Sequence, residues 1–149
     1  MADYFTHYSA VLTDLTPEEE DWLKAEYKRR RGVENFDDVE NFDVDTTMGD
    51  FEVSFEAMSS TERRQAWFHT PNGYGNLDHV ADFVQQFLKK FRPKDSWSME
   101  WSNDCSKPRL DGFGGGAFVV TAGRVYWINT SDWVQKTTKK IHQSKRRKK

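Results

Sequence analysis

Residues 76–91, NLDHVADFVQQFLKKF, set Val80, Phe83, Val84, Phe87, Leu88 and Phe91 three or four positions apart, which gathers all six on one side of a helix. A stripe of that width has to be covered, and the neighbouring stretches say by what. FEVSFEA (51–57) sets Phe51, Val53, Phe55 and Ala57 against Glu52, Ser54 and Glu56, and SWSMEWS (96–102) sets Trp97, Met99 and Trp101 against Ser98 and Glu100. A period of two is the pattern of a strand with one buried and one wet face. The chain is expected to lay helices on one side of a sheet.

The remaining elements follow from local signals. Residues 4–13 are β-branched and aromatic enough for a first strand. TPEEEDWLKAEYKRRRG then predicts a helix, with Thr16 as N-cap, Pro17 at the first helical position, Glu19 closing a capping box, cations in the last turn and Gly32 as C-cap. A short strand at 66–69 is expected to pair with 51–57, Asn76 caps the second helix, and Pro93 stops it. Residues 117–121 and 124–129 flank an Ala122-Gly123 turn and read as a hairpin, and Thr130 or Ser131 caps a last short helix through Trp133. The first six elements run β-α-β-β-α-β, the order of a ferredoxin-like split βαβ sheet. The predicted class is α+β: a single domain over residues 1–135, an acidic loop at about 33–50, and a basic, disordered tail at 136–149.

With 149 residues and 36% hydrophobic content the chain can build one core but not two. No stretch approaches the ~18 apolar residues of a membrane span, and MADYFTHYSAVL lacks the basic start and cleavage site of a secretion signal. A lone Cys105 can neither close an internal disulfide nor build a thiolate metal cluster. A cytoplasmic protein with no membrane partner is expected.

The net charge of −2 conceals two opposed regions. KTTKKIHQSKRRKK (136–149) holds eight of the 22 lysines and arginines and none of the 24 acids, so the first 135 residues carry 14 cations against all 24 carboxylates. Residues 34–56 hold nine acids and no base. Within that stretch Asp37, Asp38, Glu40, Asp43 and Asp45 are interleaved with Phe36 and Phe42, a combination of charge and apolar anchors suited to a partner protein with a basic surface, such as a nucleic-acid-binding cleft. The plainer alternative is a solvated loop that keeps the protein soluble. Asn41, Asp43, Asp45 and Glu52 match positions 1, 3, 5 and 12 of a calcium loop, but Thr46 stands where glycine is needed and a strand follows where a helix should, so no metal is expected. The basic tail suits phosphate contacts, a nuclear import signal, or folding back onto the acidic body.

WSNDCSKPRLDGFGGGA (101–117) raises a separate question. Its glycines can aim backbone N–H groups at an anion beside Lys107 and Arg109, which makes Lys107, Arg109, Asp111 and Gly114 contact candidates. Neither GxxxxGK[ST] nor a GxGxxG opening a helix is present, and no cofactor is expected. Glycine also permits close approach of one chain to another, and Asp111 can pair with Arg109, so a corner built for geometry is the favoured reading. Cys105 would need His7, His69, His79 or His142 beside it to act as a nucleophile; no nucleophile signature surrounds it, and no catalytic residue is assigned.

ADYFTHYS, WSNDCSKPRLDGFGGGA and NTSDW, together about a fifth of the chain, resemble blocks of a family of short uncharacterised proteins from bacterial, plasmid and phage genomes. The segment 33–50 and the basic tail depart from that family's usual pattern. No activity is established for the family, so the resemblance implies no catalytic role; small proteins of mobile-element origin often bind and block a host protein. The expectation is a non-enzymatic binding protein, an inhibitor of a host nucleic-acid-handling or defence factor acting through an acidic face. One alternative is a nucleic-acid-binding module using the tail with Lys107 and Arg109. The other is a ligand or enzyme site around Asp104, Cys105, Lys107, Arg109 and Asp111.

Overall fold

The computed structural model describes residues 2–31, 51–58, 62–70, 73–110 and 112–147. Ten elements follow in order: β1 (Tyr4–His7), β2 (Ser9–Leu15), α1 (Pro17–Arg31), β3 (Glu52–Ala57), β4 (Arg64–His69), α2 (Leu77–Phe91), β5 (Ser96–Cys105), β6 (Gly114–Thr121), β7 (Val125–Asn129) and α3 (Thr130–Arg147). The class is α+β, with two antiparallel sheets of order β1-β5-β6-β7 and β2-β4-β3.

The expected first strand is two strands. Tyr4 to His7 pair with Ser102 to Cys105, whereas Ser9 to Leu12 pair with Ala66 to His69. The break falls at Tyr8, which is buried and gives its N–H to Thr70 Oγ1 (3.2 Å) instead of to a neighbouring strand. If β1 and β2 are taken as halves of one strand, the order across both sheets is β3-β4-(β2/β1)-β5. That is the split βαβ order, opened along its centre and extended by β6 and β7. The opening leaves carbonyls of β2 to be satisfied, and side chains do it: Trp97 Nε1 donates to Val11 O (2.8 Å), and Arg92 Nη2 donates to Thr13 O (3.1 Å) and Asp14 O (2.9 Å). At the far end of β2, Asp14 adopts φ 57° within a register slip, so that Leu12 and Leu15, three positions apart, both reach the core.

Helices α1 and α2 cover one side only. The α2 stripe buries Val80, Phe83, Val84, Phe87 and Leu88 against Phe68, Trp97, Met99, Phe118 and Val120 of the sheets. Glu19 N–H donates to Thr16 Oγ1 (3.2 Å) and His79 N–H to Asn76 Oδ1 (3.1 Å), so both N-caps are as the residue types require; Gly32, the expected C-cap, lies outside the described residues. Three carboxylates of α1 are matched by the protein's own cations. Glu19 meets Arg92 (2.7 Å), Glu20 meets Lys24 and Arg64 (both 2.9 Å), and Glu26 meets Arg29 and Arg30. The guanidinium of Arg64 holds the Glu20 carboxyl below its usual range, against the opposing effect of burial.

Two expectations change at the C-terminal end. Glycines 114–116 belong to strand β6, where they face Asn103, Ser102 and Trp101, and do not form a loop. The last helix does not end near Trp133, and the basic segment is not an unstructured tail: α3 continues to Arg147. Its N–H groups are capped one residue earlier than expected, by Asn129 Oδ1 accepting from Asp132 (2.7 Å), and Lys136 pairs with Asp132 (2.6 Å) one turn on, an arrangement that supports a helix start. Thr130 instead accepts from Gly115 N–H (3.1 Å), fastening the helix to β6. No α3 residue is buried.

Candidate functional site

Strand alternation sends half of the sheet residues away from α1 and α2. On that open side stand Glu52, Ser54 and Glu56 of β3, Trp67 and His69 of β4, Val11 of β2, His7 of β1, Ser98, Glu100, Ser102 and Asp104 of β5, Val119 of β6, and Tyr126 and Ile128 of β7. None of the strand positions on this side holds a lysine or arginine. Among the described residues, Glu52, Glu56 and Glu100 form no ion pair, and Asp104 meets only the imidazole of His7 (Nε2 to Oδ1 3.3 Å). On the helix side Glu19, Glu20 and Glu26 are neutralised internally, whereas the open side of the two sheets presents carboxylates that no lysine or arginine among the described residues meets.

Two hollows mark this face. One, of about 590 Å³, lies where the sheets diverge and is lined by His7, Ser9, Trp67, His69 and Ser102. Here the Trp67 and His69 rings stack at 3.9 Å, His69 Nε2 lies 3.1 Å from Ser54 Oγ, and Trp67 Nε1 donates to Ser9 Oγ (2.8 Å). The second, about 700 Å³, is a groove between Glu100, Ile128 and Trp133 whose floor is the backbone of 114–117. The glycine floor is set by packing. A Cβ on Gly115 would come 2.4 Å from Trp101 O, and one on Gly116 would come 2.1 Å from Ile128 O and 2.5 Å from the Trp101 ring. Both positions are closed to side chains by the adjacent strands, so close approach of neighbouring chains accounts for these two glycines.

Burial lowers the pKa of His69, although Glu52 and Glu56 beside it act in the opposite direction. Burial therefore favours the neutral imidazole in the folded state. A histidine whose folded pKa lies below its unfolded value of about 6.5 contributes stability that is complete above that pH and is lost as pH falls through the folded value. We predict that the urea midpoint drops on acidification from pH 7.5 to 5.5 and that His69→Gln removes part of that drop. Equal pH dependence in both proteins would refute the assignment.

The residues singled out in the sequence fare unequally. Asp37, Asp38, Glu40, Asp43, Asp45, Phe36, Phe42 and Asp111 lie outside the described residues. Lys107 and Arg109 are exposed on the connection between β5 and β6, and Gly114 opens β6. Asp104 and Cys105 do not converge, since consecutive strand residues point to opposite sides: His7 shares the open side with Asp104, while Cys105 stands opposite Tyr4. The calcium-loop reading has no exiting helix, because Glu52 begins a strand. Trp67, His69 and the His7–Asp104 pair were not singled out as a group; the alternation of Gln65, Trp67 and His69 against Ala66 and Phe68 was the signal for two of them. Among the described residues, no helix is long and apolar enough to cross a membrane. Comparison with protein-family models, with curated proteins and with solved structures finds no match.

Proposed function

We propose that this protein is a docking module without turnover of its own, whose open sheet face engages a basic surface of a partner protein. The observation that carries the reading is the segregation of charge across the sheet. The buried carboxylates Glu19 and Glu20 under the helices are matched by arginines and a lysine, whereas Glu52, Glu56 and Glu100 on the open side have no cationic partner among the described residues. Uncompensated charge contributes little to stability and much to steering and selection of an oppositely charged partner. Trp67, on β4 beside Glu52 and Glu56, adds the aromatic area that anchors such contacts. Glu52 and Glu56 are also the last two of the nine acids at 34–56 in the sequence. A host nucleic-acid-handling or defence protein, whose own ligand-binding cleft is cationic, has the required chemistry.

The test is a double charge reversal, Glu52→Lys with Glu56→Lys, used beside the wild type as bait in the source cell. Both positions are outside the core, so circular dichroism should match the wild type. The partner captured by the wild type should fall about tenfold or more with the variant, as expected for the loss of two close ionic contacts. Equal capture by both proteins would rule out this face. A reading as a nucleic-acid binder predicts instead that Lys139→Glu with Lys140→Glu abolishes salt-sensitive oligonucleotide binding while partner capture is unaltered.

A further inference from the structure

Strand β7 is the outer edge of the four-stranded sheet, and its sequence, VYWIN, contains none of the devices that keep an edge from pairing: no charge, no proline and no register slip in its pairing with β6. Tyr126, Trp127 and Ile128 are 51%, 45% and 57% exposed in succession. Helix α3 leaves this edge without an intervening residue, and Trp133 (58%), Val134 (53%) and Ile141 (52%) form one stripe along it that no described residue buries. Ile128 and Trp133 meet across the groove, so strand and helix stripes adjoin there, while Trp127 lies on the opposite side of β7 beside Phe118.

We propose that the occupant of this surface is a second copy of the same chain, paired two-fold through antiparallel β7 strands, with each α3 crossing the axis to lie on the open face of the other sheet. Four features favour a second copy. A five-residue uncharged edge is complementary to itself under a two-fold axis, which closes the assembly at a dimer and produces one continuous eight-stranded sheet. Helix α3 carries Lys136, Lys139, Lys140, Lys145, Arg146 and Arg147, of which only Lys136 has an acidic partner among the described residues, and the face it would reach presents Glu100 and Asp104. The reach is sufficient, since 18 helical residues span about 27 Å while adjacent strands lie about 4.8 Å apart. The area is of the right order as well: six large side chains at half exposure leave on the order of 600 Å² per copy, and the strand edge and lysine stems bring this near the ~800 Å² per partner of a standard interface. The dimer is independent of Glu52 and Glu56, which lie on the other sheet.

Sedimentation equilibrium of the full chain, extended to hundreds of micromolar, tests the inference. A monomer–dimer equilibrium that weakens as salt rises is expected. Tyr126→Lys with Ile128→Lys, and separately Val134→Glu with Ile141→Glu, should each raise the dimer dissociation constant by about tenfold or more while the circular dichroism spectrum is retained, because all four side chains are exposed. A wild type that stays monomeric at the highest concentration, or a dimer that survives either pair of substitutions, overturns the proposal. Because the charge-reversal test uses β3 alone, loss of the dimer and loss of the acidic docking face are separately observable.

Discussion

Replacing Phe83 by alanine is expected to remove about 3–5 kcal/mol of folding stability, a large part of the ~5–15 kcal/mol of a typical domain. Phe83 has no exposed surface, and its ring lies 6.4 Å from Trp22, 6.3 Å from Tyr27, 5.5 Å from Phe51 and 5.9 Å from Phe68. It therefore joins α1, the residue that leads into β3, β4 and its own helix α2, with the Arg30 guanidinium 5.3 Å above the ring. Truncation deletes the apolar transfer term and leaves a cavity walled by four aromatic rings that cannot collapse into it without parting the helix layer from the sheet. Urea denaturation monitored by tryptophan fluorescence measures the loss. A change below about 1.5 kcal/mol, the range of conservative core swaps, would show that this cluster is not the centre of the core.

The second large effect is at a residue with no side chain. Gly116→Ala places a Cβ 2.1 Å from Ile128 O and 2.5 Å from Trp101 Cζ2, where neither the β7 backbone nor a packed indole can give way cheaply. Strain of this kind costs about 1–3 kcal/mol where a core side chain shifts, and a backbone obstacle puts Gly116 at the upper end, near 3 kcal/mol. The movement is expected at the β6–β7 pairing, so loss of hydrogen-exchange protection should concentrate in β7 and α3. Gly123→Ala is the matched control: nothing lies within 4 Å of its added methyl group, and its effect should stay within about 0.5 kcal/mol. If the two substitutions behave alike, the glycine run is not a packing requirement and its role as a ligand cradle has to be reopened.

The open face was legible in part. Alternation in FEVSFEA and SWSMEWS separates Glu52, Ser54, Glu56, Ser98 and Glu100 from the core residues, and the structure places all five on the helix-free side. The groove at Trp133 and Ile128 was not legible, because the two residues belong to different elements and meet only once α3 is fastened to β6 through Thr130 and Gly115. Lys107 and Arg109 drew attention as cations beside glycines, yet their exposure on a connecting segment brings them near neither hollow.

The amino-acid order alone determines that two amphipathic helices and several strands of alternating character must stack as layers, that cations and carboxylates occupy different stretches, and that α1 and α2 start at Thr16 and Asn76. Those properties depend on residues within about one helical turn or one strand pair of each other, where backbone preference and side-chain period act directly. Only the tertiary structure decides that the first strand divides at Tyr8 between two sheets, that 114–116 run as a strand pressed against Trp101 and Ile128, and which carboxylates find an arginine. Each of these is a contact between positions tens of residues apart, such as Glu20 with Arg64 or Glu19 with Arg92, and its energy exists only after the chain has closed the intervening loop.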